Sequence, residues 1–256
     1  MNEWIARNFL FMPELASKNG QAVDDLIVYV HWLMLVLFLG WIIYFFYVLH
    51  RFSDKRSKVA NYEGSKSKLP SYVELFVVAV EAILLLVIAV PLWAKNVQQF
   101  PDPKDATVIQ VMAQQYAWNV RYPGPDGVFG RQDMKLIAQD NVFGIDTNDV
   151  AGKDDIQLIN DIHVPVNKPV LIYLSSKDVI HSFKLLAMRT TQDAIPGLRI
   201  PLTFTPTKIG RYQIECAQLC GPGHSGMTGG FVTVDSQEDY DKWLKSKEPV
   251  TPQSFE

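Results

Sequence analysis

Two long apolar runs near the start of the chain hold nearly all of its continuous hydrophobicity. The first, Leu26 to Leu49, reads LIVYVHWLMLVLFLGWIIYFFYVL, 24 residues without Asp, Glu, Lys or Arg. As a helix rising about 1.5 Å per residue it extends about 36 Å, enough to cross a hydrocarbon core of about 30 Å with some tilt. The second, Leu75 to Trp93, has 19 residues, contains Glu81 and ends near Pro91. Acids precede the first run (Asp24, Asp25), and it is too long for the apolar stretch of a signal peptide. The pattern therefore predicts a transmembrane hairpin over 25–93, with spans at about 26–49 and 75–93.

The loop between the spans, 50–72, carries Arg51, Lys55, Arg56, Lys58, Lys66 and Lys68 against Asp54 and Glu63. Excess basic residues beside spans mark the cytoplasmic side. The segment 1–24, both termini and residues 94–256 are then expected on the periplasmic side of a bacterial inner membrane.

After Lys95 the period shortens to two. Tyr116, Trp118, Val120 and Tyr122 alternate with Ala117, Asn119 and Arg121, and Val170, Ile172 and Leu174 form a second such run. Tyr212, Ile214 and Cys216 share one face of a third, and Phe231–Val234 form a fourth. Short strands punctuated by Pro and Gly predict an all-β sandwich or barrel. The turn-rich stretch from Tyr122 to Asp155 reads as an excursion from the sheet. Ser236, followed three residues later by Asp239, is placed to cap a short last helix carrying Tyr240, Trp243 and Leu244.

Composition narrows the classes. Hydrophobic residues at 48% and charged residues at 20% exclude a disordered chain. With 24 Lys+Arg against 27 Asp+Glu, and no basic cluster outside the loop, the footprint of a nucleic-acid binder is absent. Cys216 and Cys220 are the only cysteines, which excludes a disulfide scaffold and a covalently attached c-type haem. The stretch 126–161 holds eight aspartates against Arg131, Lys135 and Lys153. It is read as a solvated loop, with electrostatic steering of a basic partner as the alternative. Glu81, inside the second span, must face protein or water. Glu74, at its cytoplasmic edge, is either a solvated helix-end carboxylate or a proton-uptake group facing a neighbouring subunit. His31 is expected to pack against a partner helix, and His163 to be a surface residue of a strand.

The chemistry concentrates in Cys216-Ala-Gln-Leu-Cys220-Gly-Pro-Gly-His224-Ser-Gly-Met227, with His181 thirty-five residues upstream in SSKDVIHSF. Thiolate, imidazole and thioether are together the ligand set of copper electron-transfer sites. A mononuclear blue-copper site leaves one cysteine spare. Two thiolates four residues apart on one loop can bridge two copper ions, each taking one histidine and one weak ligand. Met227 and a backbone carbonyl between the cysteines are the weak ligands at hand. A Cys216–Cys220 disulfide is the alternative in an oxidising compartment. A Cys₂His₂ zinc site leaves Met227 unexplained.

On these residues the chain resembles subunit II of haem-copper cytochrome c oxidases. The resemblance runs from Asp25 to Leu244 and includes the hairpin, the strand AQQYAWNVRYP, SSKDVIHSF, the turn DAIPG at Asp193–Gly197 and the copper loop. It implies a cupredoxin sandwich holding a binuclear copper centre, CuA. By position, His181 and Met227 bind one copper, His224 and the backbone oxygen of Gln218 bind the other, and Cys216 and Cys220 bridge both. The resemblance also implies a cytochrome c donor, electron transfer to haem in subunit I, and reduction of oxygen to water there, coupled to proton translocation. Tyr116 stands where the family often has the electron-accepting tryptophan, and Trp118 is the second aromatic. Glu74 matches the glutamate at the mouth of the K proton pathway.

The family's usual residue between the cysteines is a glutamate that also binds a magnesium or manganese ion. Gln218 is a weaker ligand for a hard cation, so magnesium at the subunit I interface is not expected with the same strength. The rival from another class is a membrane-anchored copper chaperone or thiol-disulfide assembly factor. Such a protein has a thioredoxin-like α/β domain and one span, whereas this pattern has two spans and no βαβ unit. A quinol-oxidase subunit II lacks the copper ligands, and the CuA domain of a nitrous-oxide reductase lacks the hairpin.

Overall fold

The structure, a computed structural model, describes residues 2–56, 59, 62, 63 and 66–247. Lys58 of the basic loop and residues 248–256 of the expected external domain lie outside the described residues. The chain divides into two compact units. One comprises Met1–Met12 and Ala22–Lys95, the other Pro13–Gln21 and Asn96–Glu256.

In the first unit, helix α1 (Asn2–Asn8) precedes α2 (Gly20–Arg51), and the second apolar run forms α3 (Leu69–Ile83), a π-helical stretch (Leu84–Ala89) and α4 (Val90–Gln98). Both runs are helices long and apolar enough to cross a membrane, Gly20–Arg51 and Leu69–Gln98. They extend past the apolar limits 26–49 and 75–93 by about a turn or more at most ends, because polar flanks continue the hydrogen-bond ladder. Pro70 lies in the first turn of α3, where its missing N–H costs nothing. Pro91 has no N–H to donate one turn back, and the wider turn closes just before it, where Val90 N–H bonds Leu85 O.

The second unit is a β-sandwich. Its strands are β1 (Thr107–Gln114), β2 (Ala117–Tyr122), β3 (Ile156–Ile159), β4 (Asp161–Pro165), β5 (Val170–Ser176), β6 (His181–Leu185), β7 (Thr190–Ala194), β8 (Ile200–Phe204), β9 (Gly210–Gln213), β10 (Glu215–Cys216) and β11 (Phe231–Asp235), followed by helix α5 (Gln237–Ser246). They form sheets of order β3-β2-β1-β5-β8, β10-β6-β7 and β4-β11-β9. β1 runs parallel to β5, and the alternating apolar positions Ile109, Val111, Ile172 and Leu174 enter one core with Trp118, Phe183 and Phe204. Cys216, Cys220 and Met227 belong to that same core cluster.

The alternation in β2 does not separate core from solvent. Arg121 and Asn119, on the face opposite Trp118 and Val120, are also buried. The excursion from Tyr122 to Asp155, built of turns and single 3₁₀ turns, covers that face. Arg121 makes a fully buried ion pair with Asp155 and also donates to Gln110 Oε1 at 3.1 Å and Gly130 O at 2.9 Å. Met112, Phe143 and Ile145 form a second small core beneath the excursion.

The segment 1–24 is divided between the two units. Pro13–Gln21 is a strap across the sandwich: Ala16 N–H bonds Ala187 O, Lys18 N–H bonds Thr205 O, and Thr207 N–H returns to Ala16 O. Ser17 Oγ donates to Met188 O at 2.7 Å, and Arg189 reaches Pro13 O at 2.7 Å. Ser236 caps α5 by accepting from Asp239 N–H at 3.1 Å. Tyr240 and Trp243 then turn inward. His163 is no simple surface residue: its ring stacks on Trp243 at 4.3 Å, and Nδ1 lies 2.6 Å from Asp235. His31 is exposed, its Nδ1 2.7 Å from Ile27 O within its own helix.

Candidate metal centre

Two elements bring the ligand types together. β6 begins at His181, whose ring is completely buried, and β10 ends at Cys216, paired with Phe183 across the ladder. From Cys216 the chain leaves the sheet through Cys220 and re-enters the core at Met227 before β11. Gly221 adopts φ +133°, and a side chain there would meet Tyr116 Oη at 2.7 Å and Gln115 Nε2 at 2.8 Å. A side chain at Gly223 would collide with the Tyr116 ring. These glycines let the loop lie flat under Tyr116.

The donor atoms converge. Cys216 Sγ and Cys220 Sγ are 3.8 Å apart, and both are free thiols. That separation is far beyond a disulfide bond of about 2.05 Å. Met227 Sδ lies 3.5 Å from Cys220 Sγ and 3.1 Å from His181 Nδ1. His181 Nδ1 is 4.0 Å from Cys216 Sγ, His224 Nδ1 is 3.4 Å from Cys220 Sγ, and Gln218 O is 3.1 Å from Cys216 Sγ. The ligand atoms of His181, Cys216 and Cys220 all lie within 4.8 Å of one another. Burial and the neighbouring Cys216 push the Cys220 thiol up to about 11. Two buried thiols, a buried thioether and two imidazole nitrogens suit a soft or borderline metal, and copper fits this donor set.

The surrounding bonds aim the donors. His181 Nε2 lies 2.9 Å from Asp178 Oδ1, which leaves the Nδ1 lone pair toward the sulfurs. Asp178 Oδ2 accepts from Gln115 N–H at 2.7 Å, and Gln115 Nε2 donates to Cys220 O at 2.7 Å. Burial raises the Asp178 carboxyl, but the bonds from Gln115, His181 and Val179 outweigh it and hold it below the ordinary range. Trp118 Nε1 donates to Met227 O at 3.1 Å.

Sequence reasoning named the six candidate ligands, and the structure gathers their donor atoms at one end of the sandwich. The Gln218 side chain is exposed, and its carbonyl turns inward. Tyr116 is half-buried over the loop, whereas Trp118 is fully buried beneath it and has no surface to offer a docking partner. Glu74 is exposed on α3, in the other unit. Asp178 and Gln115 were missed. The signal for Asp178 was its place three residues before His181 at a strand start.

Two apolar helices long enough to cross a membrane and a β-sandwich with a thiol–imidazole–thioether cluster in its core define a membrane-anchored protein of the cupredoxin type. Comparison with known proteins narrows the class. The profile of cytochrome c oxidase subunit II, periplasmic domain, matches residues 107–234. The alternative cytochrome c oxidase subunit 2 of Bradyrhizobium diazoefficiens is 32% identical over 232 residues, covering 90% of this chain and 82% of that protein. Cytochrome c oxidase subunit 2 of Synechocystis is 27% identical over 274 residues, covering 98% and 80%. The crystal structure of the periplasmic domain of subunit II of cytochrome oxidase (CoxB) of Bradyrhizobium japonicum aligns with a TM-score of 0.42 at 26% identity, covering 58% of this chain and 96% of that one. The chain belongs to the cytochrome c oxidase subunit II family and is a subunit of an oxidoreductase.

Proposed function

We propose that this chain takes up electrons for a respiratory terminal oxidase at a binuclear copper centre. The observation that carries the reading is the convergence of both cysteine sulfurs, Met227 Sδ, the Nδ1 atoms of His181 and His224, and the Gln218 carbonyl. Cys216 and Cys220 would bridge two copper ions, with His181 and Met227 on one, and His224 and the Gln218 oxygen on the other. When bound, such a centre supplies one-electron acceptance from a cytochrome c and delivery to the haem of subunit I, where oxygen is reduced and protons are translocated.

The chain's own residues prepare that role. Asp178 fixes the ring of His181, and Trp118 holds the backbone of Met227. The core packing around Cys216, Cys220 and Met227 excludes water and resists movement of the donors. Tyr116 is the aromatic that a donor would meet first, and Trp118 acts from within. Glu74 would gather protons for the K pathway.

The strap supports the membrane orientation. Pro13–Gln21, before the first span, and Asn96 onward, after the second, fold as one unit, so an even number of crossings must separate them. With the basic loop on the cytoplasmic side, that unit lies in the periplasm and the chain crosses the inner membrane twice. The chaperone or thiol-disulfide alternative loses ground because the domain is a sandwich and the cysteines sit in its core.

Metal analysis and EPR of the purified chain test the proposal. The expected result is two coppers per chain sharing one unpaired electron when oxidised. One copper in a fully loaded sample, or a native Cys216–Cys220 disulfide, would reject it.

A further inference from the structure

The first twelve residues contribute no donor to the metal centre and no strand to the sandwich. Trp4 is 59% exposed, Phe9 68% and Phe11 85%. These rings are not on a loose tail. Phe9 and Leu10 N–H both bond Ile5 O, at 2.9 and 3.1 Å, and Met12 N–H bonds Ala6 O at 3.0 Å, so the aromatic turn is wound onto α1. The Trp4 and Phe9 rings are 5.8 Å apart.

The segment is also tied to a particular level of the first span. Asn2 Nδ2 donates to Asp25 Oδ1 at 3.0 Å. Asp25 is the last acid before the apolar run begins at Leu26. Just inside that limit Val28 is fully buried, as is Ala6 of α1, while no residue of α2 from Tyr29 to Arg51 is buried. α1 is thus anchored where the span meets the polar layer. Glu3 and Arg7 are exposed on the same short helix. Charges mixed with aromatic rings at one depth suit the headgroup layer, where Trp gathers, and suit neither the hydrocarbon centre nor the charge-depleted core of a protein interface.

We propose that Trp4, Phe9 and Phe11 form an aromatic foot that inserts into the lipid interface of the leaflet at the Asp25 end of the first span. Its ligand is the lipid surface. The proposal rests on Gly20–Arg51 spanning the membrane and is independent of the copper reading.

The test uses the assembled, copper-loaded oxidase in nanodiscs, with a bimane fluorophore on Phe9→Cys or Phe11→Cys. Unsubstituted oxidase controls for labelling of Cys216 and Cys220, and Lys135→Cys provides a water-facing reference. Brominated phospholipid is expected to quench the labels at 9 and 11 several-fold more than it quenches the reference, with little quenching by aqueous iodide. Strong iodide quenching would place the segment in water and overturn the proposal. Protection from both quenchers would show that another subunit covers it, and would overturn the proposal equally.

Discussion

Asp178 and His181 share a 2.9 Å contact between Oδ1 and Nε2, and the opposite nitrogen of the same ring lies 3.1 Å from Met227 Sδ. One carboxylate therefore decides which nitrogen faces the sulfurs. Its other oxygen takes the N–H of Gln115, the residue before Tyr116, so ligand orientation and the aromatic at the surface are set from one side chain.

The first prediction removes that carboxylate. Asp178→Ala should weaken copper binding by about 10–100-fold, the usual cost of losing the partner of a ligating histidine. Asp178→Asn should fall between, since an amide presents one acceptor oxygen where the carboxylate's two now satisfy the N–H groups of Gln115, Val179 and His181. Competition with a copper chelator gives the affinity, and the EPR hyperfine pattern reports the geometry. Wild-type affinity and spectrum in Asp178→Ala would remove Asp178 from the positioning role.

The second separates the bridging ligands from the weak one. Met227 is buried within the core, and leucine conserves its volume, so Met227→Leu should fold and keep its copper. An axial thioether tunes a site more than it builds it, so the midpoint potential and the electron sharing should change. Cys216→Ser should lose most of its copper because a bridge is gone. Loss of all copper from the leucine variant, with a normal spectrum from the serine variant, would reverse the assignment.

Alkaline stability follows from two buried tyrosines near α5. Burial, then the nearby Asp241, raises Tyr240 from 10.0 to about 12. Burial also raises Tyr122 well above its ordinary value; its hydroxyl donates to His163 O and accepts from His163 N–H, both at 2.8 Å. A raised folded-state value means that the unfolded chain loses its protons first. Stability from these groups is thus complete below pH 10 and declines as pH climbs toward 12, by about 2–3 kcal/mol for Tyr240 alone. Denaturant melts of the detergent-solubilised chain across that range should show the decline, and Tyr240→Phe should flatten it. An unchanged slope in the phenylalanine variant would show that Tyr240 does not couple folding to pH.

What the sequence revealed, and what it hid, has a physical pattern. The spans were legible because the bilayer demands a long uninterrupted apolar run. The copper ligands were legible because their residue types are rare and their spacing is local. The strap was hidden: Ser17 pairs with Pro206 across most of the chain, and the run Glu14-Leu15-Ala16-Ser17-Lys18 carries no period of its own and gives no hint of a partner. The burial of Arg121 was hidden for another reason: its partner Asp155 is 34 residues away, in the aspartate-rich excursion that folds over this face of β2. The eight aspartates of the stretch 126–161 were the available clue. Trp118 is legible as the second aromatic after Tyr116, but nothing in the spacing tells that it lies inside, bonded to Met227 O.

The last prediction concerns protons. Glu74 lies five residues into α3, exposed, beside the loop whose basic residues mark the cytoplasmic side. Glu81 is seven residues further, about 10 Å deeper along the helix. A carboxylate at the edge can exchange protons with water and face a neighbouring subunit without the cost of deep burial, about 2.5–3.5 kcal/mol at mid-membrane, which makes Glu74 the better collector. Glu74→Ala in the assembled oxidase should therefore slow steady-state oxygen reduction several-fold. Reduction of the copper centre by the donor should remain fast, because the electron path lies in the sandwich. Stopped-flow absorbance, reading copper and haem separately, distinguishes the two steps. Glu74→Asp should recover part of the rate, since it keeps an ionisable group at the same edge. Full turnover in a well-assembled Glu74→Ala oxidase would make Glu74 a solvated helix-end carboxylate and nothing more.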